Sequence, residues 1–427
     1  MVANRQRTQS LLERIKEKFS PASIEERHGA KAQKPLSPAV RPTKTPSETS
    51  LGSYWKLLME QCGLEEKDRA LLADLATLES MSVYENNIEN FIGTLKMPLG
   101  LAGPLRINGL YAQGDFYVPL ATTEATLVAS YARGSKLISA AGGCTTAMLN
   151  DGLPRAPVFE FRSLTEAGFF VAWVMENFEP LKQEADSTTR HGKLMDIKPH
   201  VEGNRVYLTC EYLTGDAAGQ NMTTIATQKL CSYIVEHMPV KPVIWFLESN
   251  FSGDKKASNL SFVTVRGKKV TAEVYLPAEL IEQYLHTSAE RLFHFWRISV
   301  MGSAMSGTMG AQGHFANGLA ALYLATGQDV ACVAESSVGV TRMELCNNQL
   351  YVAVTLPNIV VGTVGGGTGL PSQNVGLRML GLNGLGQAPA LAEVCAALCL
   401  AGELSLIGAI CAEQFAASHQ KFARGAK

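Results

Sequence analysis

A chain of 427 residues, 46% hydrophobic and 18% charged, is long enough for two or three packed units. Its net charge of −1 offers no bulk attraction to a polyanion, and no basic patch or nucleic-acid module is present, so nucleic-acid binding is set aside. Nine cysteines without CxxC or framework spacing point to a reduced, cytoplasmic compartment, eight histidines without HExxH or a similar pair give no metal site, and the absence of an unbroken apolar run of about eighteen residues leaves no expected transmembrane helix.

In chain order, residues 1–50 read as a disordered tail rich in Pro, Ser, Thr, Lys and Glu. It begins with a short basic amphipathic helix whose apolar face is Leu11, Leu12, Ile15 and Phe19. Residues 51–92 show helical periodicity through Trp55, Leu57, Leu58, Leu71, Leu72 and Leu75 and form a small helical cap. Residues 93–155 open the larger domain, with a helix expected from about Thr122 to Ala141, capped by Thr122 or Thr123. Residues 156–247 give strand, helix, two strands turning at Glu202–Gly203–Asn204, helix and strand, the βαββαβ order of a ferredoxin-like domain. Residues 248–257 form a glycine-bearing loop. Residues 258–427 complete the larger domain with a hairpin turning at Arg266–Gly267, a glycine-rich helix from Gly302 to Ala325, a strand pair from Arg342 to Leu356 and a helix from Pro389 onward. The fold class is therefore α/β (α+β), a large domain carrying an inserted smaller one.

Glu124, Lys255, Asp329 and His419 each lie in a segment dominated by small, apolar and glycine residues. Such segments bury, and a buried charge is costly unless it is paired or used, which points to one assembled site. Each has a plain alternative. Glu124 in a helix first turn compensates the dipole, Lys255 in DKK is a solvated turn, Asp329 caps a helix, and His419 near a helix C-terminus meets the dipole.

The contexts PLATTEATLVAS, NFSGDKKAS, ATGQDVACV and FAASHQKF, with ENFIG, MPLGLAGPL, GDAAGQNM, GTVGGGT and AGELSL in that setting, resemble the motifs of 3-hydroxy-3-methylglutaryl-CoA (HMG-CoA) reductases. The likeness runs from about Tyr84 to the C-terminus and is to the sequence type of the membrane-anchored enzymes, of which this chain resembles the catalytic portion alone. It implies reduction of HMG-CoA to mevalonate and free CoA by two hydrides from NADPH, with NADH the lesser cofactor. That chemistry needs a cation for an oxyanion and protons for a thiolate and an aldehyde oxygen.

The resemblance makes Lys255 the cation and Glu124 the proton donor at the aldehyde stage. It makes Asp329 the carboxylate that tunes both, and His419 the group that protonates departing CoA. Arg133, Arg155, Asp254, Lys256, His314 and Asn317 match substrate-side positions. Thr189, Arg190, Asp216, Gly219, Gln220, Asn221, Gly365 and Gly366 match cofactor-side positions, Arg190 facing the ribose 2′-phosphate. No GxGxxG or P-loop exists, so a Rossmann domain is not supported, and the inserted 156–247 domain is the implied nucleotide carrier. The resemblance also implies a homodimer or homotetramer with its site between subunits.

The chain departs from that pattern at several points. FHFWRISVMGSAM replaces an asparagine-rich, lysine-bearing stretch and offers Arg297 instead. Ala132, Cys332 and Val333 stand where amides are common, and Gln220 stands for a methionine. Reduction of a different acyl-CoA and a catalytically silent scaffold are the rival expectations.

Overall fold

The computed structural model describes residues 43–414 together with residues 9, 13–16, 23, 26 and 40. Leu11, Leu12 and Phe19 of the expected basic helix, and His419, lie outside the described residues. The chain divides into two units, residues 1–95 and 96–427.

In the first unit, Ser47 begins α1 (Glu48–Cys62) with a reciprocal capping box to Ser50, and Gly63 ends it in the left-handed conformation. α2 (Glu66–Leu72) and α3 (Leu75–Glu79) follow. Leu51, Trp55, Ala73 and Phe91 form their core, and the Trp55 indole N–H donates to Ile92 O at 2.8 Å. Leu71 and Leu75, expected on the apolar face, are exposed instead. The chain turns between three helices, so the apolar positions do not share one face.

The second unit is built on one long strand. β1 (Leu99–Gly109) pairs antiparallel with β2 (Gln113–Ala121) and parallel with the start of β3 (Cys144–Arg155). α4 (Leu127–Ala140) connects β2 to β3. The last residues of β3, Leu153–Arg155, enter a second sheet, so this strand joins the two. That second sheet comes from β4 (Val158–Glu160), α5 (Leu164–Glu176), α6 (Phe178–Asp186), β5 (Lys193–Glu202), β6 (Arg205–Leu213), α7 (Gln220–His237) and β7 (Ile244–Phe246). Its order is β7-β4-β6-β5 with every pair antiparallel, the ferredoxin-like arrangement. Gly203 turns the β5–β6 hairpin at φ 58°. Phe159, Phe161, Phe170, Leu208 and Ile234 lie in its separate core.

The chain then returns through a single helical turn, α8 (Leu260–Val263), to β8 (Gly267–Pro277), which pairs with β3 and β11. The expected hairpin at Arg266–Gly267 is absent. Arg266 is buried and bonded to side chains on three segments, so Gly267 starts a strand rather than a turn. After α9 (Ala278–Leu285) and α10 (Ala289–Ser306), Gly307 stops the helix in the left-handed conformation. The expected helix from Gly302 to Ala325 is therefore two helices. Between them β9 (Gly310–Ala311) presses against Gly339, where a Cβ on Gly310 would meet Gly339 O at 2.1 Å. α11 (Phe315–Thr326), α12 (Val333–Ser336), the hairpin of β10 (Gly339–Cys346) and β11 (Gln349–Ile359), α13 (Pro371–Met379) and α14 (Ala388–Cys411) complete the unit.

By length and composition α14 is the one helix among the described residues apolar enough to cross a bilayer, yet it is buried inside the protein. It packs on α4, β3, β8 and β11. A Cβ on Gly134 would lie 1.9 Å from Ala401 O, so the α4–α14 crossing requires glycine there. Burial of Leu391, Leu398 and Leu404 in this core is worth roughly 2 kcal/mol each.

Candidate active site

Residues 248–257 connect β7 to α8 and carry three left-handed residues, Asn250 (φ 63°), Gly253 (φ 71°) and Lys255 (φ 55°). A non-glycine residue held there costs roughly 1–2 kcal/mol, so surrounding bonds must impose it. Glu248 accepts from the N–H groups of Ser249 and Asn250 and from the Ser252 hydroxyl. The Lys255 N–H donates to Glu335 Oε1 at 3.2 Å.

The Lys255 ammonium lies 3.1 Å from Asp329 Oδ2. Asp329 begins a short 3₁₀ turn, accepts from Ala331 N, and follows Gly327, which ends α11. Its hydrogen bond to Asp329 raises the lysine pKa against the opposing effect of burial. Burial alone would push the Asp329 carboxyl up. The hydrogen bonds and charge of Lys255, with those of Ala331 N–H and Gln220, outweigh it and leave the pKa lowered.

Glu124 is placed differently from the sequence expectation. α4 begins at Leu127, after Thr126 in the left-handed conformation, so Glu124 lies in the β2–α4 connection and not in a helix first turn. Thr122 caps no helix; its hydroxyl accepts from Glu124 N. The Glu124 carboxylate accepts from Asn317 Nδ2 at 3.0 and 3.2 Å. No hydrogen bond or ion pair among the described residues joins this pair to Lys255–Asp329. Contrary to the expectation of burial, Glu124, Lys255 and Asp329 are all exposed. Their apolar neighbours fill the core while the loops lift the charges to the surface.

Among the substrate-side candidates, Arg155 ends β3 where the two sheets meet. Its guanidinium is buried and bonds Asp254 at 3.0 Å, Glu248 at 3.3 Å and Gln220 O at 3.2 Å, so it braces the loop. Lys256 is exposed, its ammonium bonded to Asp254 O. Arg133 lies on α4 and grips Ser405 of α14 through Oγ and O. His314 stacks on Tyr131 at 5.0 Å, and its Nε2 is buried without a hydrogen-bond partner. Burial lowers its pKa to about 4, so the ring is neutral at pH 7. Arg297 is exposed on α10, over the Phe293 ring.

The cofactor-side candidates come together around the N-terminus of α7. Gly219, at φ 79°, begins that helix. Ala217 bridges Val364, and a Cβ on Gly362 would lie 2.5 Å from Ala218 N, so GDAAGQ and GTVGGG lie backbone to backbone. Gly365 and Gly366 have positive φ and open space where a Cβ would stand. Thr189 donates to Met222 Sδ at 3.0 Å, bringing Thr189 and the exposed Arg190 to the first turn of the helix. Asn221 is exposed there too. The Asp216 carboxylate instead accepts from Gly386 N and Ala388 N, tying this loop to the start of α14. Gln220 links the two regions, because its Nε2 donates to Asp329 Oδ2 at 3.1 Å. Glycine space and an exposed cation beside a helix N-terminus are features that can accept a phosphate-bearing group.

Sequence reading missed Glu335, Arg266 and Glu403. Glu403 is fully buried in α14 and accepts from Gly313 N, His314 N and the Thr341 hydroxyl, fixing the His314 turn. Burial lifts its pKa to about 6. Its signal in sequence is that α14 carries only two acidic residues, Glu393 and Glu403, in a largely apolar helix. All nine cysteines are free thiols.

The family model described as hydroxymethylglutaryl-coenzyme A reductase matches residues 56–424. The chain is 43% identical over 376 residues to the 3-hydroxy-3-methylglutaryl-coenzyme A reductase of Methanocaldococcus jannaschii, covering 86% of this chain and 91% of that one. It is 42% identical over 377 residues to the enzyme of the same name from Aeropyrum pernix, covering 86% and 89%. In three dimensions it resembles the class II 3-hydroxy-3-methylglutaryl-CoA reductase from Streptococcus pneumoniae bound to NADPH. The TM-score is 0.63 at 21% identity, covering 86% of this chain and 97% of that one.

Proposed function

The chain belongs to the hydroxymethylglutaryl-coenzyme A reductase family, which reduces HMG-CoA in the mevalonate pathway, and we propose that it does so with two hydrides from NADPH, yielding mevalonate and free CoA. The observation that carries this reading is the Lys255–Asp329 pair sharing its carboxylate with Gln220, the first residue of α7. That arrangement sets a fixed cation beside a dinucleotide-type helix N-terminus.

NADPH, when bound, supplies the hydride. Arg190 and Thr189 would hold its 2′-phosphate, and the glycine-bearing Gly219–Asn221 turn, with Gly365 and Gly366 beside it, would receive its pyrophosphate. Lys255 stabilises the oxyanion formed as each carbonyl carbon is reduced, and Asp329 keeps the ammonium protonated and aimed. Glu124, oriented by Asn317, delivers the proton to the aldehyde oxygen. His419 protonates the departing CoA thiolate. Arg133 and neutral His314 lie on the substrate side, and Asp254 and Arg155 shape the lysine loop.

Among the described residues no hydrogen bond or ion pair joins Glu124–Asn317 to Lys255–Asp329, and we propose a homodimer or homotetramer in which a second copy completes the site. Nine free thiols suit a reducing, cytoplasmic setting. The domain assignment follows: residues 156–247 carry the nucleotide and the larger domain the substrate. The test is the stoichiometry of the purified protein with HMG-CoA. Two NADPH oxidised per CoA released, with mevalonate as product, supports the reading; turnover only with another acyl-CoA overturns the substrate.

A further inference from the structure

The lysine loop is closed into a ring of hydrogen bonds. The Lys255 ammonium pairs with Asp329 Oδ2, which accepts from the Gln220 side chain. Gln220 O accepts from Arg155, and Arg155 bonds Asp254. Asp254 bonds Arg266. Arg266 Nε donates to Glu335 Oε1 at 3.1 Å, and that same oxygen accepts the Lys255 N–H at 3.2 Å. The ring thus passes through the lysine's charged end and returns to its backbone.

Arg266 and Glu335 are both buried, and nothing in the roles assigned above uses them. Glu335 is held from behind, since its helical turn α12 is pinned by Tyr323 OH to Ser336 Oγ and by Ser336 Oγ to Asn358 O. Arg266 is likewise fixed, its N–H on Asn358 Oδ1 and its Nη1 on Pro154 O. A left-handed lysine is a conformation the chain avoids unless bonds impose it, and the bond to Glu335 lies at that residue.

We propose that Glu335, clamped by Arg266, is the positioning residue that fixes Lys255 in its left-handed conformation and so aims the ammonium at Asp329 and the reacting oxygen. The proposal rests on the catalytic reading of Lys255 for its effect on turnover, but its structural core does not. The role is that of a hydrogen-bond acceptor at one oxygen, which Glu335→Gln retains and Glu335→Asp, one methylene short, moves out of reach.

The experiment uses the full chain with Glu335→Gln and Glu335→Asp. It follows acylation of Lys255 by acetic anhydride at pH 9 by peptide mass spectrometry, with Lys241 as the internal control, alongside kcat and KM for NADPH. In Glu335→Asp the ammonium leaves Asp329 and its raised pKa relaxes, so Lys255 labels about 5-fold faster while Lys241 does not change. The same variant loses about 100-fold in kcat with KM for NADPH held within a small factor. Glu335→Gln stays within about 3-fold of wild type on both measures. Lys255 labelling at the wild-type rate in Glu335→Asp overturns the proposal, as does a Glu335→Gln variant as impaired as Glu335→Asp. The predicted labelling pattern in a protein that does not turn over HMG-CoA sinks the proposed function and leaves the positioning role standing.

Discussion

Gln220 Nε2 lies 3.1 Å from Asp329 Oδ2, and the same carboxylate oxygen lies 3.1 Å from the Lys255 ammonium. One carboxylate therefore touches both the lysine and the first residue of the helix read as the dinucleotide cradle. The residues come from three distant parts of the chain, and β3 runs through both sheets, joining the one that carries Gln220's domain to the larger one.

Replacing Asp329 by Asn removes the main cause of the raised Lys255 pKa. A lysine raised by its partner contributes stability that is complete below its unfolded pKa and lost as pH rises through the folded one. The alkaline limb of the kcat profile reports the same group. In Asp329→Asn that limb moves to lower pH, and kcat at neutral pH falls about 10- to 100-fold. Steady-state rates from about pH 7 to about pH 12, which span the range above the ordinary lysine pKa, check this; an unmoved limb contradicts it.

His314 and Glu403 tie stability to pH with opposite signs. The His314 pKa falls from 6.5 to about 4, so its contribution is complete above 6.5 and is lost as pH falls through 4, roughly 3 kcal/mol at most. The Glu403 pKa rises from 4.5 to about 6, so its contribution is complete below 4.5 and is lost as pH rises through 6, roughly 2 kcal/mol. The two partly cancel between pH 4.5 and 6. His314→Phe, which keeps the stack on Tyr131, removes the loss on the acid side, and Glu403→Gln makes that loss steeper. Urea unfolding of both variants from pH 4 to 8 reads these slopes.

The strand and helix order around this site is legible in sequence, and the misplacements have a common cause. The βαββαβ order was readable because alternating strands and long periodic helices are local signals. The contact of Lys255 with Asp329, which the resemblance of their motifs implies, is present at 3.1 Å. Burial of the charges was not, because an apolar neighbourhood in sequence does not say whether a loop carries its charged residue outward. Glu124 was assigned to a helix that begins at Leu127, because Thr122 and Thr123 look like N-caps and the actual start is a left-handed Thr126. Glu335 and Arg266 carry no local signal at all; only the meeting of α12 with the start of β8 gives them a purpose.

Gly362 has no room for a side chain, since a Cβ would lie 2.5 Å from Ala218 N and 2.8 Å from Asp216 O, both backbone atoms. Gly362→Ala therefore pushes apart the two loops read as holding the dinucleotide. KM for NADPH rises about 10-fold or more, and stability falls by about 1–3 kcal/mol. A thermal melt and a KM determination separate the two effects.

Arg190 is exposed beside the start of α7 and has no hydrogen bond or ion pair among the described residues. Arg190→Ala raises KM for NADPH about 10-fold and leaves KM for NADH within about 2-fold. Equal loss with both cofactors would assign Arg190 a general role rather than one at the 2′-phosphate.

The central claim is that Lys255 is the cation of the reaction. Its direct measurement is kcat for HMG-CoA reduction by Lys255→Ala against wild type, at saturating NADPH, with the fold checked by circular dichroism. Loss of a preorganised cation at a developing oxyanion predicts a fall of about 1,000-fold with KM for NADPH little changed. A folded Lys255→Ala variant that keeps more than about a tenth of wild-type kcat would contradict the account.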